Sequence, residues 1–217
     1  MNAPALRPPA VSRASAAGGE LDRRLRGAVR GGVLFDRASL GRYSTDASIY
    51  QVEPIGVLVP ASHEDVRAAF AICRELGVPL LPRGAGSSQC GQTVGRALVV
   101  DHSRHLDGVV ALDRDARTVT VEPGIVLDAL NARLKPHGLW FPVDVSTSAQ
   151  CTLGGMAGNN SCGSRSIAYG NMVHNVLAID ALLADGTSAR FGPESAMAGA
   201  PARVRALCES LRAIGAR

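Results

Sequence analysis

Apolar positions recur with a readable period only after the first twenty residues. Residues 1–20 are Pro, Ala, Ser and Gly without periodicity, so a flexible tail is expected, running to about residue 30. Within it a short helix from Glu20 to Val29 is compatible with the pattern, ended by Gly31 and Gly32. The stretch Gly41–Tyr50 (GRYSTDASIY) is polar and turn-rich and reads as a connection. Ile55–Val59 is a short apolar strand stopped by Pro60. Ser62 is placed to cap a helix, with Asp65 as its capping-box-like partner. Val66, Ala69, Phe70, Cys73 and Leu76 follow at helical spacing, and Gly77 terminates the helix. Val78–Leu81 and Leu98–Asp101 are the next strands, which makes the order β-α-β, a long polar loop, then β.

The second half alternates differently. Val109–Leu112 and Thr118–Val121 flank a hairpin turn at 113–117. Glu122-Pro-Gly124 launches a helix carrying Val126, Leu130 and Leu134, ended by Pro136 and Gly138. Trp140-Phe141 reads as a short strand, followed by a Gly-rich segment over 152–170. Val176–Leu183 and Ser188–Phe191 flank a second hairpin-like turn. The last element, 202–214, is an amphipathic helix with Val204, Leu207, Leu211 and Ile214 on one face. There is no internal repeat. The chain, 217 residues and 46% apolar, suffices for one large α/β domain or two small subdomains sharing a core.

Charge changes this picture little. The net charge is +4 and Lys135 is the only lysine. No stretch interleaves clustered Arg with aromatics, so no nucleic-acid partner is expected. The cysteines, Cys73, Cys90, Cys151, Cys162 and Cys208, are odd in number and form no C-x-x-C pair, which argues against a disulfide framework, a zinc site or an iron–sulfur run in this chain. Free thiols fit a cytoplasmic setting, and no apolar run reaches membrane-spanning length. Nor does the N-terminus carry the apolar core of a secretory signal.

Two segments carry candidate chemistry. Pro82-Arg-Gly-Ala-Gly-Ser-Ser-Gln-Cys-Gly91 directly follows a strand. Its glycines allow sharp turns and close approach of a ligand to the main chain, and successive N–H groups with two hydroxyls form a nest suited to a pyrophosphate. Gly84-Ala-Gly86, with Asp101 17 residues beyond Gly84, raises a Rossmann reading. That reading fails, because a dinucleotide fingerprint starts a helix on its glycines and 87–95 has no helical period. By itself the segment is equally an ordinary surface loop. In the second segment, Gly154, Gly155 and Gly158 crowd a helical turn, where each glycine costs roughly 1 kcal/mol against Ala. Packing against something flat or phosphorylated explains that cost, and Asn159, Asn160 and Ser161 add donors and acceptors of the kind a flavin edge and ribityl chain need.

Arg83-Gly-Ala-Gly-Ser-Ser, Pro142-Val-Asp144, Thr152-Leu-Gly-Gly155, Asn159-Asn-Ser-Cys-Gly163, Tyr169-Gly170 and Asn175-Val176, in that order, resemble the FAD-linked oxidases of the vanillyl-alcohol oxidase and p-cresol methylhydroxylase type. Within that family the chain is most similar to the D-lactate, glycolate and D-2-hydroxyglutarate dehydrogenase group. Tyr43–Tyr50 resembles large bacterial members fused to an iron–sulfur module. The resemblance covers about residues 30–200. It implies an α+β FAD-binding domain of two α/β-like subdomains, 31–107 and 108–200, with the isoalloxazine between them, and with 201–217 beginning a substrate domain. It implies FAD as cofactor and Pro82, Arg83, Gly84, Ala85, Gly86, Ser87 and Ser88 as the pyrophosphate loop. Thr152, Gly154, Gly155, Asn159, Asn160, Ser161 and Gly163 are implied along the ribityl chain and ring edge. Pro142, Asp144, Tyr169 and Gly170 are further cofactor positions, and Val176 offers its backbone to the flavin. Some relatives hold FAD through His or Cys; Cys151, Cys162, His174 and His137 are read here as structural, and Trp140 as packing. A large cap domain that holds a small 2-hydroxy acid follows this region in the family, so no catalytic residue is named and the isolated chain is expected to be inactive. Two other readings stay open: an FAD reductase or molybdenum-hydroxylase flavin subunit of the same fold, and a non-catalytic flavin-binding remnant.

Overall fold

The computed structural model describes residues 11–193 and 199–216. Its centre is a four-stranded sheet in the order β1-β2-β4-β3. The strands are β1 (Gly32–Leu34), β2 (Gly56–Val59), β3 (Leu80–Arg83) and β4 (Leu98–Asp101). β1 runs antiparallel to β2, whereas β2 and β3 both run parallel to β4. Every residue of β2 and β4 is buried, as expected of strands covered on both faces. Their alternation separates two layers. Leu58, Leu98 and Val100 meet Leu21 and Leu25 of α1 (Val11–Ala28) and Ala69, Ile72 and Cys73 of α3 (His63–Leu76). Val57, Val59 and Val99 face the other way, onto Leu40 and Tyr43 of α2 (Arg37–Tyr43).

The N-terminal region departs from the tail expected for it. α1 begins at Val11 rather than Glu20, and Leu21 and Leu25 are fully buried. Helical order is imposed by the sheet, against a local composition that includes Gly18 and Gly19. Only the expectation for 1–10 lies outside the described residues. α2 is a further departure, since the polar stretch from Gly41 starts inside a helix that Asp36 caps by accepting the Ser39 N–H at 2.9 Å. Ser62 caps α3 as expected, accepting the Asp65 N–H. Asp65 does not complete a capping box: its carboxylate accepts N–H bonds from Arg30 (3.0 Å), Gly31 (2.9 Å) and Ala61 (2.8 Å), tying the exit of α1 to the end of β2.

β3 and β4 are parallel neighbours joined by a loop over 84–97 without a crossover helix, as the rejection of a Rossmann arrangement requires. The second core cluster gathers Ile125, Leu127, Leu130, Leu134, Leu153, Met156 and Met172. It is built from the hairpin β5 (Val109–Asp113) and β6 (Thr118–Val121) with α4 (Leu127–Leu134), α5 (Leu153–Gly158) and α7 (Met172–Asn175), and α6 (Ser166–Tyr169) lies between the last two in sequence. Trp140-Phe141 forms no strand; the Phe141 N–H is taken by the Asn131 side chain at 2.7 Å instead of a ladder. A second antiparallel hairpin, β7 (Ile179–Leu182) with β8 (Ser188–Phe191), precedes a final helix, Ala202–Gly215. Among the described residues no helix is long and apolar enough to cross a membrane.

Candidate FAD-binding site

β3 ends at Arg83, paired in register with Asp101 of β4. The chain then turns through Gly84, whose position decides how the two halves meet. A Cβ at Gly84 would lie 2.1 Å from the Thr152 hydroxyl, so the first loop rests directly on the residue that caps α5. Thr152 is itself buried and accepts the Gly155 N–H at 3.4 Å. From the other side, the turn at Pro123-Gly124 is held between the elements. Gly154 donates to the Pro123 carbonyl at 2.8 Å, and a Cβ at Gly124 would lie 2.0 Å from the His102 carbonyl.

Between these segments lies a cavity of about 480 Å³. It is lined by Pro82, Arg83, Gly84, Ala85, Gly86, Ser87 and Ser88 from the first segment and by Thr152, Gly154, Gly155, Asn159 and Ser161 from the second. Two remote stretches singled out by composition are thus brought face to face. Gly155 and Gly158 leave the α5 backbone open: a Cβ at Gly158 would meet nothing within 4 Å, and one at Gly155 only the Thr152 hydroxyl. The lining also includes Gln92, Thr93, His102, Pro123, Val145, Thr147, Cys151, Met156 and Gly158, which sequence reasoning did not place there as cofactor residues. Gln92 and Thr93 sit in the polar loop already suspected; His102 and Val145 carry no local signal.

The loop is braced from behind by the Tyr43–Tyr50 stretch. The Arg83 guanidinium donates to the carbonyls of Thr45 (2.9 Å), Thr93 (3.2 Å) and Tyr43 (3.4 Å) and sits 5.3 Å from the centre of the Tyr43 ring. Ala47 donates to the Gly86 carbonyl at 3.0 Å, and the Thr93 hydroxyl donates to Asp46 at 2.9 Å. Gly86 has φ +68°, and a Cβ there would also strike the Arg83 guanidinium at 2.4 Å. The Tyr43 hydroxyl donates to Asp101 at 2.6 Å; burial and that carboxylate push its pKa up to about 12. Cys151 is buried and its thiol is pushed up by burial, with its sulfur 3.5 Å from that of Met156.

Pro142, Asp144, Asn160, Gly163, Tyr169, Gly170 and Val176 are not part of the lining. They form a neighbouring framework. Asp144 accepts the Arg165 N–H (3.0 Å) and the Ser164 hydroxyl (2.8 Å); burial raises its pKa, but these bonds outweigh that and hold it below the usual value. A Cβ at Gly163 would lie 1.8 Å from the Asp144 carbonyl. Asn160, at φ +51°, accepts the Val173 N–H at 3.0 Å. Trp140 and Tyr169 meet edge to face at 5.2 Å. His174 accepts the Asn171 N–H in a capping box, Cys162 is exposed, and His137 ends a 3-10 turn. Among the described residues no cluster of three His, Cys, Asp or Glu is placed to hold a metal ion.

A parallel strand pair joined by a loop without a crossover helix is not the arrangement of a Rossmann domain, and it agrees with the p-cresol methylhydroxylase-type FAD-binding domain that the sequence resembles. The chain belongs to the FAD binding domain family, whose model matches residues 54–192, more than half its length. It is 41% identical over 154 residues to the D-2-hydroxyglutarate dehydrogenase of Pantoea ananatis, covering 70% of this chain and 15% of that protein. It is 37% identical to a probable mitochondrial D-lactate dehydrogenase of Danio rerio (72% and 31% covered) and 34% to the glycolate oxidase subunit GlcD of Bacillus subtilis (76% and 36% covered). The chain therefore spans a minor part of the curated relatives it matches. In fold it resembles an alkyldihydroxyacetonephosphate synthase (TM-score 0.73, 21% identity, 81% of this chain and 35% of that one). It also resembles a carbohydrate oxidase from Microdochium nivale (TM-score 0.67, 20% identity, 78% and 36%).

Proposed function

We propose that this chain holds FAD for an oxidoreductase acting on a D-2-hydroxy acid of the lactate, glycolate or 2-hydroxyglutarate class. The observation that carries the FAD part is the single cavity shared by the Gly84–Ser88 loop and the Thr152–Ser161 segment. The substrate class rests on the names of the relatives. In this reading the main-chain N–H groups of Gly84–Ser88 and the hydroxyls of Ser87 and Ser88 receive the pyrophosphate. The glycine face of α5, with Asn159 and Ser161, lies along the ribityl chain and ring edge. Asn160, Gly163, Asp144 and Pro142 act indirectly, fixing the path of 159–161 through the Val173 and Arg165 contacts. Tyr169, Gly170 and Val176 are placed toward the ring side of the same framework. FAD, when bound, accepts hydride from the carbinol carbon; the protein supplies position and exclusion of water.

Residues 31–107 and 108–200 are the proposed subdomains. A substrate-binding domain and an iron–sulfur module complete the proposed whole protein. The exposed apolar side chains Ile167, Val173 and Leu177 are proposed to be covered by such a domain. Free thiols support a cytoplasmic site of action.

The test is a titration of the purified chain with FAD and FMN. FAD is expected to bind at least about tenfold more tightly, because FMN leaves the 84–88 loop without a pyrophosphate. Equal affinity, or preference for FMN, removes the assignment. A second expectation concerns turnover. The lining holds no Asp or Glu, and its titratable groups are Arg83, bonded to carbonyls, His102, and Cys151 with a raised pKa. The neutral His102 imidazole stands beside Gly84, at the pyrophosphate end in this reading, and no carboxylate lines the cavity, so anaerobic addition of D-lactate, glycolate or D-2-hydroxyglutarate to the FAD-loaded chain is expected to leave the flavin absorbance unbleached. Bleaching at an ordinary enzymatic rate would place a catalytic base within these residues.

A further inference from the structure

The cavity has an unusual charge inventory. None of its lining residues is a carboxylate, and the side chains able to carry positive charge are Arg83 and His102. Arg83 is turned away, its guanidinium occupied by three carbonyls and the Tyr43 ring. A pyrophosphate dianion entering this space therefore meets dipoles and one imidazole. That imidazole is well placed. His102 follows the last residue of β4, and its N–H donates to the Arg83 carbonyl at 3.0 Å, directly beside Gly84. Its own carbonyl is pressed against Gly124. The backbone of His102 is pinned on both sides at the base of the loop, and the half-buried residue is among those that line the cavity.

We infer that His102 is the charge-compensating residue of the cofactor site, taking up a proton from solvent onto its imidazole as a pyrophosphate seats on the Gly84–Ser88 loop. The inference rests on the FAD reading proposed above. In the free protein, burial holds the His102 pKa below its usual value of 6.5, so the imidazole is neutral at neutral pH. A dianion alongside favours the charged form and raises that pKa, so one N–H bond is formed on binding. Proton uptake is greatest between the free and the bound pKa, and affinity falls as pH rises through that window. Around His102, burial outweighs the Arg83 and Val100 carbonyls and the Asp101 carboxylate, which favour the charged imidazole, and His63 also opposes it. Asp101 bonds Tyr43 and Ser103, His63 of α3 pairs with Glu122 at 3.2 Å, and Cys151 is buried with a raised pKa.

The experiment is calorimetric titration of the full chain with FAD, and separately with ADP-ribose, which carries the same pyrophosphate diester without the ring and no phosphate that titrates in this range. Buffers of different ionisation enthalpy, at about pH 6 to about pH 8, report the protons exchanged. Net uptake is expected with both ligands, with FAD affinity falling about tenfold across that range. His102→Gln is expected to bind FAD more weakly, without uptake and with a flat pH profile; His63→Gln is expected to keep the uptake. FAD binding without proton uptake, or uptake that survives in His102→Gln or is lost in His63→Gln, overturns the inference and leaves the FAD reading standing. No FAD binding by the parent chain overturns both. Should His102→Gln fail to fold, an NMR titration of the parent chain decides: an imidazole pKa unchanged by FAD overturns the inference, and a raised one supports it.

Discussion

Gly84→Ala is expected to weaken FAD binding by about a hundredfold, ~2.7 kcal/mol. The reason is not the phosphate itself. The new methyl group would stand 2.1 Å from the Thr152 hydroxyl and 3.2 Å from its Cβ, in a buried contact between the two cofactor segments. Either Thr152 leaves the Gly155 N–H and uncaps α5, or the loop lifts off the second half and the cavity opens. Overpacking of this kind costs about 1–3 kcal/mol of stability. The same geometry predicts a rescue. Thr152→Ala alone forfeits the cap, about 1 kcal/mol, but removes the obstructing hydroxyl. The Gly84→Ala/Thr152→Ala pair is therefore expected to be more stable and to bind FAD better than the sum of the single changes allows. Strict additivity in a double-mutant cycle, read by urea midpoint and FAD titration, would show that the contact does not couple the segments.

Asp65→Ala should lower stability by about 1–3 kcal/mol, because it takes away the shared acceptor of the Arg30, Gly31 and Ala61 N–H groups at a part-buried crossing. Gly31 has no freedom to swing toward water, since a Cβ there would already lie 2.2 Å from the Val59 carbonyl. The pH dependence follows. Burial pushes the Asp65 pKa up, but the three N–H donors outweigh it and hold the carboxyl below its ordinary 3.8. A group depressed in the folded state contributes stability above its unfolded pKa and loses it as pH falls through the folded one. The parent chain should therefore lose this contribution only below about pH 4, and Asp65→Ala should show a shallower acid limb. Equal acid limbs in chemical denaturation would assign the acid sensitivity to other carboxylates.

How far local pattern reaches is visible in particular elements. α3 with its Ser62 cap and Gly77 stop and the β5–β6 hairpin follow from period and turn chemistry, because their partners lie within a few residues, whereas β2 and β4 are legible as short unbroken apolar runs although their strand partners are remote. α1 does not, because Leu21 and Leu25 become a buried pair only once the sheet stands beneath them. Trp140-Phe141 has strand composition, yet the Asn131 amide takes the hydrogen bond a ladder needs.

The candidate site divides the same way. Glycine spacing and polar composition by themselves singled out two segments, 82–91 and 152–163, as open to close approach by a ligand, and showed that no helix starts on the first; FAD entered only with the family resemblance. Both properties are local, written in φ and in the absence of Cβ. Tertiary structure alone decided which of those residues line the cavity. Arg83 stands in the phosphate loop in sequence, but its guanidinium is taken by carbonyls of residues up to 40 positions away. Gly84 is small for the sake of Thr152, which lies far along the chain. His102, one ordinary residue after a strand, enters the cavity because β4 ends beside Arg83 and the Gly124 turn closes over it. Hydrogen bonds and steric contacts act over a few ångströms in space, and sequence periodicity registers only those whose partners are also close along the chain.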